Sequence, residues 1–227
     1  YYKEVNLNNK TGYVGVNKLD DDSYFVEIIY NYSKIEFYSN EENLPFIIAI
    51  SAVSCGGKTT VSTYLNRNWK NVKVLHFDEY DFKGPDDIVN WVDRGGDPNE
   101  WDLTPFIKDL DRLMTEPLDF IVLDFPFSYT HNQVCDFIDF SVFIDTPLDI
   151  ALARRVIRDQ ARESTENVMH EMDHYISRGR KAYLSMLNTI KPNVDLVVDG
   201  NMKASEIAEL IFDHMNQILP QLKRPFS

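Results

Sequence analysis

An apolar run, Phe46-Ile47-Ile48-Ala49-Ile50, leads directly into Ser51-Ala52-Val53-Ser54-Cys55-Gly56-Gly57-Lys58-Thr59-Thr60. From Ala52 onward the segment keeps the spacing of a phosphate-binding loop, with alanine where the first glycine usually stands. Such a loop needs a strand before it and a helix after it. Its backbone N–H groups point at phosphate oxygens, and the following helix adds its positive N-terminal end. The chain spends glycine sparingly, with nine in 227 residues, yet places two here and a second adjacent pair at Gly95-Gly96. Paired glycines mark backbone that a Cβ would obstruct.

The rest of the chain agrees with an α/β reading. Short apolar runs at 46–50, 72–76, 119–123, 140–144 and 194–198 read as buried strands. Helical patterns lie near 59–68, 101–114, 147–162, 165–190 and 203–218. In the last, Ile207, Leu210, Ile211, Met215 and Ile218 share one face. Strands alternating with helices predict a P-loop NTPase three-layer sandwich around a five-stranded parallel sheet. Residues 1–44 differ. Tyr24–Tyr30 and Lys34–Tyr38 are β-branched and aromatic, around a turn-like Asn31-Tyr32-Ser33. They predict a small antiparallel hairpin or meander, with a boundary near Glu41–Pro45. The expected division is a β-rich extension, 1–44, and a P-loop domain, 45–227.

Ligands in a parallel sheet bind beyond the carboxyl ends of the strands. Ser54, Cys55, Gly56, Gly57, Lys58, Thr59 and Thr60 are the candidate ATP-binding residues there. Lys58 is expected to reach the β- and γ-phosphates and the Thr59 hydroxyl to ligate Mg²⁺. Cys55 reads as a small residue at a permissive position. The second strand runs into Phe77-Asp78-Glu79-Tyr80-Asp81, and the third ends at Asp124. An acid after the second strand can take a proton from an acceptor hydroxyl. An apolar strand ending in an acid supports Mg²⁺.

Residues 147–162 carry Arg154, Arg158 and Arg162 four apart, with Arg155 adjacent. That spacing makes a basic stripe on one helix face, suited to phosphate oxygens. The segment from about 147 to 181 therefore reads as a lid that closes over phosphates.

From Phe46 to about Leu219 the chain resembles the uridine kinase group of P-loop small-molecule kinases, which includes nicotinamide riboside kinases. The resemblance rests on SAVSCGGKTT, FDEYD, FIDTPLDIALARRVIRD and VDLVVDGN. It implies ATP- and Mg²⁺-dependent transfer of the γ-phosphoryl group to a hydroxyl, commonly that of a nucleoside. By it, Asp78 takes the catalytic-base position, Lys58 and Thr59 the P-loop roles, and Asp124 the acid after the third strand. Arg154, Arg155 and Arg158 fall on the lid arginines, with Arg158 in the catalytic set. Asp78 and Tyr80 lie on the acceptor side. An acid between Gly96 and Asp102 is implied to hold the acceptor, and either Asp97 or Asp102 fits. Ala52 and Gly56 depart from the glycine and serine commoner in the family loop. The base-contacting hairpin of uridine kinases has no room before the third strand, because Met114–Asp119 passes almost directly into it.

Composition narrows the partners. Lysine and arginine total 23 against 36 acids, a net charge of −13. A uniformly basic nucleic-acid binder is therefore not expected. No apolar run reaches the ~18 residues of a membrane span, and a cytoplasmic protein is expected. The expected partners are ATP and a small hydroxyl-bearing acceptor, with homo-oligomerisation allowed. Two cysteines, Cys55 and Cys135, are too few for a disulfide framework. Residues 78–102 hold nine acids and two bases, whereas 151–181 hold seven bases and five acids. Acidity thus gathers beside the acceptor segment and basicity in the lid. His170-Glu171-Met172-Asp173-His174 spells a zinc-protease pattern, but charged neighbours favour a polar lid face. The competing functional reading is an ATP-binding switch protein without an acceptor.

Overall fold

The computed structural model describes residues 2–7, 10–18, 24–30, 33–38, 44–160 and 164–222. The first four stretches, and positions 160, 216 and 218–222, are described by backbone alone. The chain divides into two units, Tyr1–Asn43 and Leu44–Ser227.

The first unit is an antiparallel meander of β1 (Tyr2–Leu7), β2 (Lys10–Lys18), β3 (Tyr24–Tyr30) and β4 (Ser33–Tyr38), in that order. Tyr30 pairs with Ser33, so β3 and β4 form the hairpin read from the sequence. Two further strands precede them. Their asparagines, lysines and glycines give little of the apolar alternation that betrays a strand.

The second unit is built on a five-stranded parallel sheet. Its strands are β5 (Phe46–Ala52), β6 (Val72–His76), β7 (Phe120–Asp124), β8 (Phe140–Asp145) and β9 (Leu196–Asp199). The order β6-β7-β5-β8-β9 puts β5 at the centre. Successive β5 side chains serve opposite faces, as the pleat requires. Ile48 and Ile50 pack with Val61 and Leu65 of α1 (Lys58–Asn68) and Ile207, Ile211 and Met215 of α7 (Ala204–Leu222). The Ile218 side chain lies outside the described residues. Ile47 and Ala49 face Phe106 and Leu110 of α3 (Thr104–Leu113). Both sheet faces are thus covered, which is why the strands read as unbroken apolar runs.

Between β6 and α3 lies a helix not foreseen from the sequence, α2 (Ile88–Asp93). It has only six residues and buries none of them, so no apolar periodicity announces it. Asp87 caps it, Oδ1 accepting from Val89 N at 2.9 Å and Asn90 N at 3.1 Å. After β8 come α4 (Leu148–Gln160), α5 (Thr165–His174) and α6 (Arg180–Thr189).

The pattern at 165–190 is not one regular helix. A π turn, Tyr175–Gly179, separates α5 from α6. Tyr175 and Tyr183 explain it. Both are buried in one cluster with Val53 and Phe143, their rings 5.3 Å apart and nearly perpendicular. Eight positions along a regular helix leave two side chains about 80° apart. The extra residue of a wide turn takes up that difference and brings both tyrosines to one core.

Candidate active site

The loop after β5 is held by contacts that account for its residues. Gly57 has φ +106° and Cys55 φ +60°, both left-handed. Cys55 therefore occupies a backbone position that most side chains avoid. Gly56 is constrained by space. A Cβ there would lie 2.8 Å from the Ala52 methyl and 2.8 Å from the Val53 carbonyl oxygen. The Ala52 methyl and the Val53 carbonyl oxygen together leave no room for a side chain at 56. Gly56 N donates to Val53 O at 2.8 Å, and the buried Thr146 hydroxyl donates to Gly56 O at 2.7 Å. The loop is therefore anchored to the start of the α4 segment. No side chain caps α1, and its first turn carries no acid. That leaves the positive end of the helix to attract an anion.

Asp124, 2% exposed at the end of β7, gathers the polar groups around this loop. Lys58 Nζ lies 2.9 Å from Oδ1. The Thr59 hydroxyl donates to Oδ2 at 2.7 Å, and His76 Nδ1 lies 3.1 Å from the same oxygen. Ser62 Oγ is a longer contact at 3.4 Å. Burial pushes the Asp124 carboxyl up, but Lys58, Thr59 and His76 together hold it below the ordinary carboxylate value. His76 is the partner that sequence reasoning missed. It pairs with Asp124 in the parallel register of β6 and β7, and no local spacing reveals that neighbour.

Asp78 sits exposed on the short turn Phe77–Glu79 that follows β6. Arg158 lies on α4, paired with its helix neighbour Asp159. Its guanidinium pKa is raised, chiefly by its hydrogen bonds to Asp159, with Asp78 among the smaller contributions. The bonds to Asp159 are 2.5 and 2.9 Å. The fold thus brings α4 and Asp78 within electrostatic reach of each other.

The neighbouring arginines are engaged elsewhere. Arg155 Nη2 lies 2.7 Å from Glu171 Oε1, and Nη1 donates to the Tyr183 hydroxyl at 3.4 Å. It ties α4 to both α5 and α6. Glu171 belongs to the zinc-like string, and its carboxylate is committed to this ion pair. Arg154 Nη2 donates to Gly200 O at 3.3 Å, beside the turn after β9. Arg162 lies outside the described residues.

A cavity of about 330 Å³ opens beside the loop. Ser54 and Phe77 line the end nearest the loop, α2 and Gly95–Pro98 one wall, and Tyr183 and Met186 of α6 the other. Trp91, Trp101 and Phe127 make an aromatic surface, with Trp91 and Trp101 6.3 Å apart and perpendicular. Of the two candidate acids, Asp97 lines the cavity and Asp102 does not. Asp102 Oδ1 accepts from the Thr104 N and hydroxyl at the start of α3. Asp97 Oδ1 accepts from Asn99 N and Nδ2. Tyr80 also lies off the cavity lining. Its hydroxyl donates to Asp109 at 2.8 Å, its ring stacks on Phe82, and burial with that bond raises its pKa.

Magnesium is usually held by one or two protein oxygens, the substrate phosphates and water. The paired Thr59 hydroxyl and charged Asp124 fit that need. Among the described residues no group of three or more His, Cys, Asp or Glu is placed to hold a metal by itself. Nor is any described helix long and apolar enough to cross a membrane.

Comparison with known proteins matches residues 91–205 to the Phosphoribulokinase / Uridine kinase family. A uridine kinase of Ligilactobacillus salivarius is 23% identical over 208 residues, covering 80% of this chain and 97% of that one. A uridine kinase of Leuconostoc citreum is 27% identical over 184 residues, covering 68% and 87%. A solved structure of deoxyadenosine kinase from M. mycoides aligns over 76% of this chain and all of that one, at 16% identity and a TM-score of 0.42.

Proposed function

The chain belongs to the Phosphoribulokinase / Uridine kinase family, and from that premise we propose that it transfers the γ-phosphoryl group of ATP to a hydroxyl of a nucleoside or similar riboside. The observation that carries this reading is the meeting of Lys58, Thr59 and Asp124 at a loop whose cavity begins at Ser54.

In this reading the N–H groups of residues 54–60 and the start of α1 cradle the phosphates. Lys58, already held beside Asp124, neutralises charge on the β- and γ-oxygens. Thr59, with support from Asp124, would hold Mg²⁺, which when bound would further neutralise the phosphates. Asp78 accepts the proton of the acceptor hydroxyl as its oxygen bonds to the γ-phosphorus. The bond from that phosphorus to the bridging oxygen breaks, and ADP leaves with the electron pair. Arg158 and Arg154 close from the lid side, and Arg155 holds the lid helices together. Closure excludes water, which would otherwise compete as acceptor. Because the cavity lining includes Asp97 and not Asp102 or Tyr80, Asp97 is the acid assigned to the acceptor.

The test is ADP release with ATP and Mg²⁺ across a panel of nucleosides, ribosides and other small alcohols. Acceptor-dependent release with a phosphorylated product supports the reading. ATP binding with no acceptor-dependent release by any compound favours the switch-protein alternative.

A further inference from the structure

We infer that Thr146, which lies outside the loop, is a positioning residue for ATP: its hydroxyl locks the peptide unit between Gly56 and Gly57 so that the Gly57 N–H faces the phosphates. The inference rests on the reading of this loop as the ATP site. Thr146 follows β8, 90 residues from Gly56 in the chain, and is 1% exposed. Its Oγ1 donates to Gly56 O at 2.7 Å, where little water competes. A trans peptide is planar, with its C=O and N–H on opposite sides. Holding the Gly56 oxygen therefore also fixes the Gly57 N–H, which points away from the Thr146 side chain.

That peptide needs a lock. A flip would exchange its two groups and turn a carbonyl oxygen toward an anion. The flip changes ψ of Gly56 and φ of Gly57. Gly57 stands at φ +106°, and glycine takes either sign of φ at little cost. A Cβ at 57 would meet nothing within 4 Å, so close packing on that side does not hold the peptide either. The preceding part of the loop is held separately, by Gly56 N donating to Val53 O at 2.8 Å. The Thr146 hydroxyl is itself confined. A Cβ on Gly200 would fall 1.8 Å from Thr146 Oγ1, so the turn after β9 packs directly on the hydroxyl. Gly200 N donates to Asp145 O at 3.0 Å, which keeps that turn in place.

The test compares the parent, Thr146→Val and Thr146→Ser by displacement of a fluorescent ATP analogue in the presence of Mg²⁺. MgATP and adenosine are the displacing probes. Valine keeps the branched shape and removes the donor, whereas serine keeps the donor. Thr146→Val is expected to weaken MgATP about 10-fold, the scale of one hydrogen bond to a charged group, and to leave adenosine within about twofold. Thr146→Ser should recover most of the MgATP loss. Thr146→Ala, with the same expectation as valine, serves if a thermal melt shows that Thr146→Val does not fold. Unchanged MgATP affinity in the folded variant overturns the inference. An equal loss for adenosine overturns it too, because that marks a general loosening, as does a serine variant no better than valine. A parent that binds no MgATP overturns both the inference and the reading of the loop. ADP release read in parallel separates the two claims. A loss confined to MgATP, in a protein with no acceptor-dependent release, supports the lock and overturns the kinase reading.

Discussion

Lys58 Nζ rests 2.9 Å from Asp124 Oδ1, while the neighbouring Thr59 hydroxyl donates to the other carboxylate oxygen at 2.7 Å. Two consecutive residues of the loop are thus held by one buried acid from a different strand. The acid holds the lysine in place beside the loop, so the side chain is positioned in advance and less ordering is left to any ligand.

Loss of the loop cation or of the assigned base should show in turnover. Lys58→Ala and Asp78→Asn are each expected to lower kcat by at least ~100-fold without unfolding the protein. Lys58→Ala should also lower Tm, because it leaves buried Asp124 short of its cation, whereas Asp78→Asn, at an exposed position, should not. Steady-state kinetics beside a melting curve check this. Near-normal kcat in Asp78→Asn would remove its assignment as base.

Asp124 gives a pH signature. Its folded carboxyl is held below the ordinary value, so the unfolded chain takes up the proton first as pH falls. Its contribution to stability is therefore present above the unfolded value of about 4 and fades as pH drops through the folded value. In Asp124→Asn the loss of stability between about pH 4 and pH 2 should be shallower than in the parent. Urea unfolding across that range measures it.

Ala52 and Gly56 form a steric pair. Gly56→Ser alone is expected to cost about 1–3 kcal/mol through overpacking against the Ala52 methyl. Adding Ala52→Gly should return part of that loss and no more, because the contact with the Val53 carbonyl oxygen remains at 2.8 Å. A double-mutant cycle by chemical denaturation gives the coupling, and strictly additive losses would refute the pairing.

Arg155 and Arg158 should behave differently. Arg155 bridges α4 to Glu171 and Tyr183, so Arg155→Met should lower Tm by roughly 2–4 °C for each kcal/mol lost. Arg158 pairs with its own helix neighbour Asp159 and is more exposed. Arg158→Met should leave Tm nearly unchanged and reduce kcat by at least ~10-fold. Calorimetry and kinetics on both variants separate the two roles.

His76 should act through Asp124. His76→Ala is expected to raise the Mg²⁺ concentration needed for tight ATP binding, with His76→Asn restoring part of it through an amide donor. Binding titrations at several Mg²⁺ levels read this without turnover.

Local backbone demands were legible in the chain itself. A strand that must turn sharply into a helix needs residues able to take left-handed or crowded positions, so Gly56-Gly57-Lys58-Thr59 announces itself. A strand buried on both faces must be apolar throughout, so the five strands of the sheet announce themselves too, and with them the place of Asp124. What the sequence could not carry is whatever depends on residues distant along the chain. His76 meets Asp124 only through the pairing of β6 with β7. The break in 165–190 answers the need of Tyr175 and Tyr183 to reach one core. That Asp97 lines the cavity and Asp102 does not, and that Glu171 engages Arg155, follow from which side chains the packed elements bring together. The sequence alone determined the fold class and the loop that follows β5. Tertiary structure decided the cavity beside it, because a space between α2, the aromatic wall and α6 is a property of how surfaces pack, and no spacing along one segment encodes it.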